Sequence, residues 1–414
     1  MVSLAHVEQA KKQIQEVVKE TPCEWNANWS ERFNADIFFK REDLQAVRSY
    51  KIRGAFNKIS SLNEDQKLQG VVCASAGNHA QGVAYSCQLL KIKGTIFMPA
   101  TTPMQKVKQV QLFGKSFVDI VLEGDTFDDA YAKALHFSRE NQNVFIPPFD
   151  DEKVIAGQGT IGLELLTQVS KPIDYLFVPI GGGGLVAGLI TVFKALSPNT
   201  KIIGVEPSGA PSMKTAIEQG ENTTLDQIDK FVDGAAVKRV GELNFEICKS
   251  ELKEICLVPE GKVCTTILQL YNEEAMVVEP AGALTLAALD FYREAIQGKT
   301  VVCIISGSNN DITRTEEIKE RSLFYEGLKH YFLVQFPQRP GALKDFVTKV
   351  LGPTDDITYF QFTKKNSRES GPVVIGLELT QAEDLEHIKE KMNALHFSFT
   401  YINDDSLLYS QLIG

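Results

Sequence analysis

One lysine lies in a sequence pattern that would suit a nucleophile. Ser-Tyr-Lys-Ile-Arg-Gly-Ala-Phe occupies residues 49–56, and the spacing of Ala55, Ile59 and Leu62 predicts a helix here. Lys51 would then lie in the first helical turn, where the positive end of the helix dipole disfavours the ammonium form. A neutral amine is what attack on an aldehyde requires. Taken alone, the motif also fits a solvated surface lysine, which is the commoner case.

A second motif offers binding groups for an anion. It follows the apolar run 71–74, and its residues are Ser75, Ala76, Gly77, Asn78 and His79. A strand that ends in small, hydroxylated and amide residues before a helix presents backbone N–H groups to a negative group such as a substrate carboxylate. The histidine alone is more typical of a hydrogen-bonded structural residue than of a catalyst.

A run of glycines predicts a phosphate-binding loop. After an apolar run at 175–180 come Gly181, Gly182, Gly183, Gly184 and Leu185. Glycines let the backbone approach a ligand and direct several N–H groups at one phosphate, but the Lys-Ser/Thr pair of nucleoside-triphosphate loops is missing. Gly182, Gly184 and Ala187 fit the G-x-G-x-x-A pattern. Because Glu206 lies where a ribose-binding acid would, this segment alone leaves a dinucleotide dehydrogenase open.

The fourth motif is Ser-Gly-Ser-Asn-Asn-Asp at residues 306–311, directly after the apolar run 301–305. A serine in this place, Ser306, is able to hydrogen-bond a neutral ring nitrogen. A simple turn is the alternative interpretation of the motif.

Short β-branched runs alternate with helical patterns from about residue 35 to 320 and must position these motifs. The predicted strands are 36–40, 71–74, 95–98, 119–121, 175–180, 201–205 and 300–305. This alternation predicts a doubly wound α/β body with a largely parallel sheet.

A different pattern begins after a charged helical stretch at 321–327. Strands are predicted at 331–336, 357–364, 372–378 and 397–402, with helices at 342–350 and 382–393 and a hairpin loop at 364–371. The order βαββαβ is the ferredoxin-like unit. We therefore expect a body of two α/β lobes at 1–320, a linker at 321–328 and a second domain at 329–414.

Composition narrows the classes of partner. The chain has 414 residues and a formal net charge of -10, which argues against nucleic acid or an anionic membrane as a partner. Seven cysteines without any CxxC pair indicate reduced thiols in a cytoplasm. No secretion signal is expected, since residues 1–20 are polar and have no apolar signal core. No membrane span is expected, since the most apolar stretch, 175–190, is broken by glycines.

Taken together, the four motifs resemble the tryptophan-synthase-β-like class of pyridoxal-phosphate enzymes (fold type II), and within it the threonine dehydratases (threonine ammonia-lyases). The resemblance implies that Lys51 forms the Schiff base, that Asn78 contacts the phenolic oxygen of the cofactor, and that Ser306 meets the pyridine nitrogen. The loop 181–185 would hold the cofactor phosphate. A dehydrogenase would give no reason for this lysine, asparagine and serine.

The resemblance also implies a reaction. The substrate amine displaces Lys51, the freed lysine removes the α-proton, and loss of the β-hydroxyl leads to a 2-oxo acid and ammonia. L-threonine would give 2-oxobutanoate, the first step of isoleucine biosynthesis, and L-serine would more weakly give pyruvate. Serine racemases resemble the sequence closely but carry a serine where this chain has Ala76. A serine dehydratase or racemase, or a non-catalytic amino-acid sensor, remains an alternative.

Two further expectations come from the resemblance. Relatives bind a divalent cation at positions that here are Glu206, Ala210 and Ser212, and the missing second carboxylate favours a monovalent cation or no metal. The C-terminal unit resembles ACT-like regulatory domains, in which isoleucine inhibits and valine opposes it, and a homotetramer is expected. The effector would bind within the turn 336–343, at Arg339, Gly341, Ala342 and Leu343.

Overall fold

The computed structural model describes residues 2–337, 339–362 and 370–413. The chain divides into two compact units, Met1–Thr313 and Arg314–Gly414, each with its own core. None of the helices in the described ranges combines the length and apolarity that a membrane span requires.

The first unit contains two sheets. Its strands are β1 (Cys23–Trp25), β2 (Asp36–Arg41), β3 (Val71–Ala74), β4 (Gly94–Met98), β5 (Val118–Leu122), β6 (Val144–Phe145), β7 (Tyr175–Pro179), β8 (Lys201–Pro207), β9 (Glu254–Val258) and β10 (Thr300–Ile305). The larger sheet has the order β1-β2-β10-β7-β8-β9 and the smaller one β5-β4-β3-β6. All neighbours are parallel except β1 and β2.

Helices cover these sheets. They are α1 (Leu4–Ile14), α2 (Ala27–Phe33), α3 (Lys51–Ser60), α4 (Glu64–Gln69), α5 (Asn78–Leu90), α6 (Met104–Gly114), α7 (Phe127–Asn141), α8 (Glu152–Gln168), α9 (Gly184–Leu196), α10 (Ser212–Gln219), α11 (Glu242–Glu251), α12 (Glu260–Glu274) and α13 (Pro280–Ala287). Strands β3, β7 and β10 are buried along their whole length, as expected when helices cover both faces of a parallel sheet.

The predicted doubly wound α/β body is confirmed. All seven predicted strands are present, and each differs from its predicted bounds by at most two residues at either end. The prediction missed β1, β6 and β9. Two of these have only three and two residues, too few for a period-two pattern to be recognised. All seven cysteines are free thiols and six are buried, in keeping with the expected reduced thiols.

The second unit has the predicted βαββαβ order. Its elements are α14 (Thr315–Tyr325), β11 (Lys329–Pro337), α15 (Ala342–Lys349), β12 (Asp356–Phe362), β13 (Ser370–Glu378), α16 (Asp384–Ala394), β14 (Ser398–Tyr401) and α17 (Ser406–Leu412). The antiparallel sheet has the order β12-β13-β11-β14. The last helix, α17, was not predicted. Most of the predicted hairpin loop, residues 364–369, lies outside the described residues.

The boundary between the units lies before the predicted linker. Helix α14 belongs to the second unit, because the Phe324 ring packs against Tyr331 and Tyr409 and the Tyr331 hydroxyl donates to Glu320 at 2.7 Å. The first residues of the stretch 321–328, where the sequence indicated a charged helix, thus lie in α14 of the second unit. The charged helical pattern gave no signal of this packing, because one of the aromatic partners, Tyr409, lies far from Phe324 in the sequence.

Buried ion pairs of Arg53, two residues after Lys51, anchor the start of helix α3. The guanidinium of Arg53 donates to Glu42 at 2.7 and 2.8 Å and to Glu164 at 2.6 and 2.8 Å. The Lys40 ammonium donates to Glu164 at 2.5 Å. Two cations thus meet two carboxylates, all of them buried. These bonds tie the start of α3 to α8 and to the turn that follows β2.

Arg53→Ala should lower the free energy of unfolding by about 3–5 kcal/mol, because two buried carboxylates lose their main partner. Urea unfolding of the variant and the parent chain measures the difference. Arg32→Ala is the matched control: Arg32 pairs with Glu273 at 2.7 Å, but both side chains are about one-third exposed. That control should lose less than about 1 kcal/mol. Equal losses for the two variants would contradict the anchoring role of Arg53.

Candidate functional site

Lys51 is the first residue of α3, as the sequence predicted. Its Nζ donates to the carbonyl oxygen of Pro148 at 3.0 Å. It lies 5.3 Å from the ring centroid of Tyr50 and 6.0 Å from that of Phe149. The amine thus sits between two aromatic rings and is only partly exposed to solvent.

Burial lowers the pKa of Lys51 to about 8, and the negative charge of Glu279 opposes this shift. The position in the first helical turn predicts the same direction of shift through the helix dipole. The first-turn position is confirmed, but removal of the amine from water is the largest cause of the shift. A substantial fraction of the lysine is therefore neutral near pH 8.

Asn78 begins α5 directly after the small polar motif. Its Nδ2 donates to Oε1 of Glu279 at 2.6 Å, and its Oδ1 accepts from Nδ2 of Asn309 at 2.7 Å. Burial, followed by the charge of Asp233, raises the pKa of Glu279 to about 7. The second motif is thereby connected to the fourth through side-chain hydrogen bonds.

Small residues before Asn78 leave room for a ligand. Ser75, Ala76 and Gly77 are partly exposed, and nothing lies within 4 Å of the position that a Cβ on Gly77 would take. The Ser75 hydroxyl accepts from the Gly77 N–H at 3.2 Å, which shapes this turn.

His79 is buried, and its Nε2 is 2.9 Å from the carbonyl oxygen of Ile146. Burial lowers its pKa to about 3, so the ring is neutral at physiological pH. These features favour a structural role for His79 over a catalytic one.

The glycine loop is bent by backbone geometry that only glycine adopts readily. Gly183 has φ of +91°, and a Cβ there would lie 2.8 Å from Met213 Cε. A Cβ on Gly182 would overlap the Phe149 ring at 2.2 Å, so this loop contacts the same ring that flanks the lysine. The Asn244 amide holds the loop by donating to the Gly182 carbonyl at 2.7 Å.

Several N–H groups of this loop are available to a ligand. Helix α9 begins at Gly184, and no acceptor in the part of the chain that the structure describes pairs with the N–H groups of Gly182, Gly183, Gly184 or Leu185. Unpaired N–H groups at a helix N-terminus bind phosphate well. The loop therefore fits a phosphate group, as its sequence predicted.

Ser306 follows β10 and is 2% exposed. Within the described ranges its hydroxyl has no protein partner, while its carbonyl accepts from the Tyr50 N–H at 3.2 Å. An isolated bridge joins Ser49 to Gly307, and the Ser308 N–H donates to the Arg48 carbonyl at 2.9 Å. The fourth motif is thus paired along its backbone with the residues that precede the lysine.

The four motifs converge on one place. Backbone pairing joins the first motif to the fourth, and the Asn309–Asn78 hydrogen bond joins the second motif to the fourth. The Phe149 ring lies near both the glycine loop and the Lys51 amine. Phe149 and Glu279 lie outside the four motifs. No local pattern identifies either residue, because both reach the site from elements distant in the sequence.

The candidate cation residues have other partners. Both carboxylate oxygens of Glu206 accept from the backbone, from the Met213 N–H at 2.7 Å and the Lys214 N–H at 2.9 Å. The Ser212 hydroxyl donates to the Val237 carbonyl. Residues 2–337, 339–362 and 370–413 contain no group of three or more His, Cys, Asp or Glu residues suited to a metal ion. Ala210 lies in the turn between β8 and α10.

The predicted effector turn belongs to the second unit. Arg339 donates to Asp345 at 2.7 Å, and Gly341 precedes α15 with φ of +86°. Ala342 is buried and Leu343 is exposed. Gln338, in the middle of this turn, lies outside the described residues.

Comparison with known families now gives a second line of observation. Residues 14–307 match the family model described as pyridoxal-phosphate dependent enzyme. Residues 320–412 match the model described as C-terminal regulatory domain of threonine dehydratase. The first match covers all four motifs, except for the last residues of the fourth.

Individual proteins are also similar. The chain is 56% identical over 404 residues to L-threonine dehydratase biosynthetic IlvA of Halalkalibacterium halodurans, covering 98% of this chain and 97% of that protein. Its fold matches the processed form of threonine deaminase isoform 2 from Solanum lycopersicum with a TM-score of 0.73 and 41% identity, over 77% and 94% of the two chains. Serine racemase from Dictyostelium discoideum matches with a TM-score of 0.69 and 32% identity, over 75% and 99%.

The amine of Lys51 should react with acetic anhydride, in cofactor-free protein, with a midpoint near pH 8, because burial favours its neutral, nucleophilic form. Peptide mass spectrometry after brief labelling at a series of pH values measures the midpoint. The same chain unfolded in urea is the control, and its midpoint should rise toward the ordinary lysine value of about 10.4. Identical midpoints in the folded and unfolded chain would contradict a shifted pKa.

Proposed function

Because this chain belongs to the family of pyridoxal-phosphate-dependent enzymes, we propose that it converts L-threonine to 2-oxobutanoate and ammonia. The observation that carries the proposal is the convergence of a partly neutral lysine, an unpaired phosphate-type loop and a buried serine hydroxyl in one site. The similarity to biosynthetic threonine dehydratase over almost the whole chain supports threonine as substrate.

The residues present fit pyridoxal phosphate. The free N–H groups of residues 182–185 suit its phosphate, the Lys51 amine suits its aldehyde, and the Ser306 hydroxyl suits its ring nitrogen. Asn78 has an amide N–H left for an oxygen acceptor. When bound, the cofactor supplies an electron-accepting ring that stabilises the negative charge created at the substrate α-carbon.

Lys51 is proposed to take the α-proton on its Nζ. Its position between the Tyr50 and Phe149 rings keeps the amine partly desolvated, and a pKa of about 8 leaves a useful neutral fraction near physiological pH. Ser306 is a neutral hydrogen-bond partner, so it adds no negative charge that would stabilise a protonated ring nitrogen. This favours elimination over transamination.

The substrate carboxylate is proposed to bind at Ser75, Ala76 and Gly77. Their partial exposure and the open space beside Gly77 support this assignment, and His79 shapes the motif from its buried position. Racemisation is the second candidate reaction, because a serine racemase shares the fold. It would need a proton donor on the opposite face of the α-carbon, and Ala76 has no hydroxyl to provide one.

The second unit is proposed to regulate the enzyme. Its match to a regulatory domain supports effector control, and isoleucine, the product of the pathway that 2-oxobutanoate would enter, is the proposed inhibitor, with valine opposing it. We assign the effector site to the turn around Arg339 and Leu343. A cytoplasmic homotetramer with a monovalent cation or no metal at Glu206 completes the proposal.

Lys51→Ala should lower formation of 2-oxobutanoate from L-threonine by more than about 10³-fold, because the chain loses both its covalent anchor and its proton acceptor. The visible absorption band of lysine-bound cofactor should disappear as well. Lys58→Ala, on the same helix but paired with Asp151 at 2.6 Å, is the matched control and should keep its activity. Turnover of the Lys51 variant at the level of the parent would overturn the assignment.

Removal of residues 314–414 should leave an active dehydratase that no longer responds to isoleucine or valine. An effector shifts activity only through its differential affinity for two states, which is typically worth about 1–3 kcal/mol, or roughly 5- to 150-fold. Titration of both amino acids against the full-length and truncated chains measures the response. Equal inhibition of the truncated chain would place the effector site in the first unit instead.

A further inference from the structure

A buried carboxylate outside the four motifs contacts the site. Glu279 is 5% exposed and precedes α13, and its Oε1 accepts from Nδ2 of Asn78 at 2.6 Å. Its backbone N–H donates to the Gly307 carbonyl at 3.2 Å. Gly307 must be small, because a Cβ there would lie 2.5 Å from the same carboxylate oxygen.

The hydrogen bonds around Asn78 fix the orientation of its amide. Nδ2 of Asn309 lies 2.9 Å from the Val47 carbonyl, which only accepts, and 2.7 Å from Oδ1 of Asn78. Both N–H groups of Asn309 are then in use, so the side of Asn78 that faces it must be the oxygen. The NH₂ group of Asn78 therefore faces Glu279.

An amide NH₂ group has two N–H donors, and Glu279 accepts one of them. Among the residues that the structure describes, the other N–H of Asn78 has no acceptor. Without the Glu279 carboxylate, no acceptor would hold the NH₂ group of Asn78, and its amide could rotate more freely. A carboxylate is also a stronger acceptor than a neutral carbonyl.

We propose that Glu279 is a positioning residue that holds the Asn78 amide so that its second N–H is directed to an acceptor on the bound cofactor. Asn309 holds the amide from the other side, so the three side chains form one clamp. The proposal rests on the cofactor assignment above, but not on the identity of the substrate.

A double-mutant cycle tests the clamp through cofactor binding in the absence of substrate. Cofactor-free Glu279→Leu, Asn78→Ala and the double variant are titrated with pyridoxal phosphate, and both Kd and the position of the absorption band are recorded. Each single variant should bind about 10-fold more weakly, and the double variant no more weakly than Asn78→Ala, because Glu279 acts through Asn78. Glu279→Gln keeps an acceptor and should restore most of the affinity and the original band.

Glu206→Leu is the matched control, since it also removes a buried carboxylate whose partners are backbone N–H groups. Its effect should add to that of Asn78→Ala. Additive effects of Glu279→Leu and Asn78→Ala would overturn the clamp. If Glu279→Leu does not fold, the same cycle with Glu279→Ala decides, since alanine also removes the acceptor, and additivity there has the same meaning. An unchanged Kd in Asn78→Ala would instead contradict the cofactor assignment on which the clamp depends.

Discussion

The chemistry of this protein depends on keeping a lysine amine partly out of water at the beginning of a helix. Burial lowers the pKa of Lys51 to about 8, yet such a position is stable only if the helix cannot shift to let the amine reach solvent. Arg53, two residues later, supplies that constraint through its bonds to Glu42 and Glu164. The reactivity of Lys51 thus depends on the buried ion pairs that Arg53 forms with the two carboxylates.

The rest of the site follows from the two parallel sheets. Parallel strands direct their carboxyl ends to one edge, where β3, β7 and β10 each lead into one of the motifs. The loops there contain the glycines and short side chains that let the backbone approach a ligand. Because the motifs come from different strands, their relative positions depend on both cores, one around each sheet.

Sequence patterns predicted those features whose cause is local. Buried strands appear as continuous apolar runs, and the start of α3 and the glycine loop follow from residue spacing, so Lys51 and Gly183 could be located in advance. The partners of these residues could not. Phe149 and Glu279 reach the site only through tertiary packing. Helix α14 belongs to the second unit through aromatic contacts that the hydrophobic periodicity of the sequence does not predict.

Glu279 also influences the basicity of Lys51. Burial favours the neutral form of both, which raises the pKa of the carboxyl to about 7 and lowers that of the amine to about 8. The negative charge of Glu279 acts against burial and raises the pKa of the lysine. The ionised carboxylate is the stronger acceptor for the Asn78 N–H, and its charge makes the amine more basic. The protonated carboxyl is a weaker acceptor and leaves the amine less basic. The charge of Glu279 therefore affects both the basicity of the lysine and the hydrogen bond that orients the asparagine.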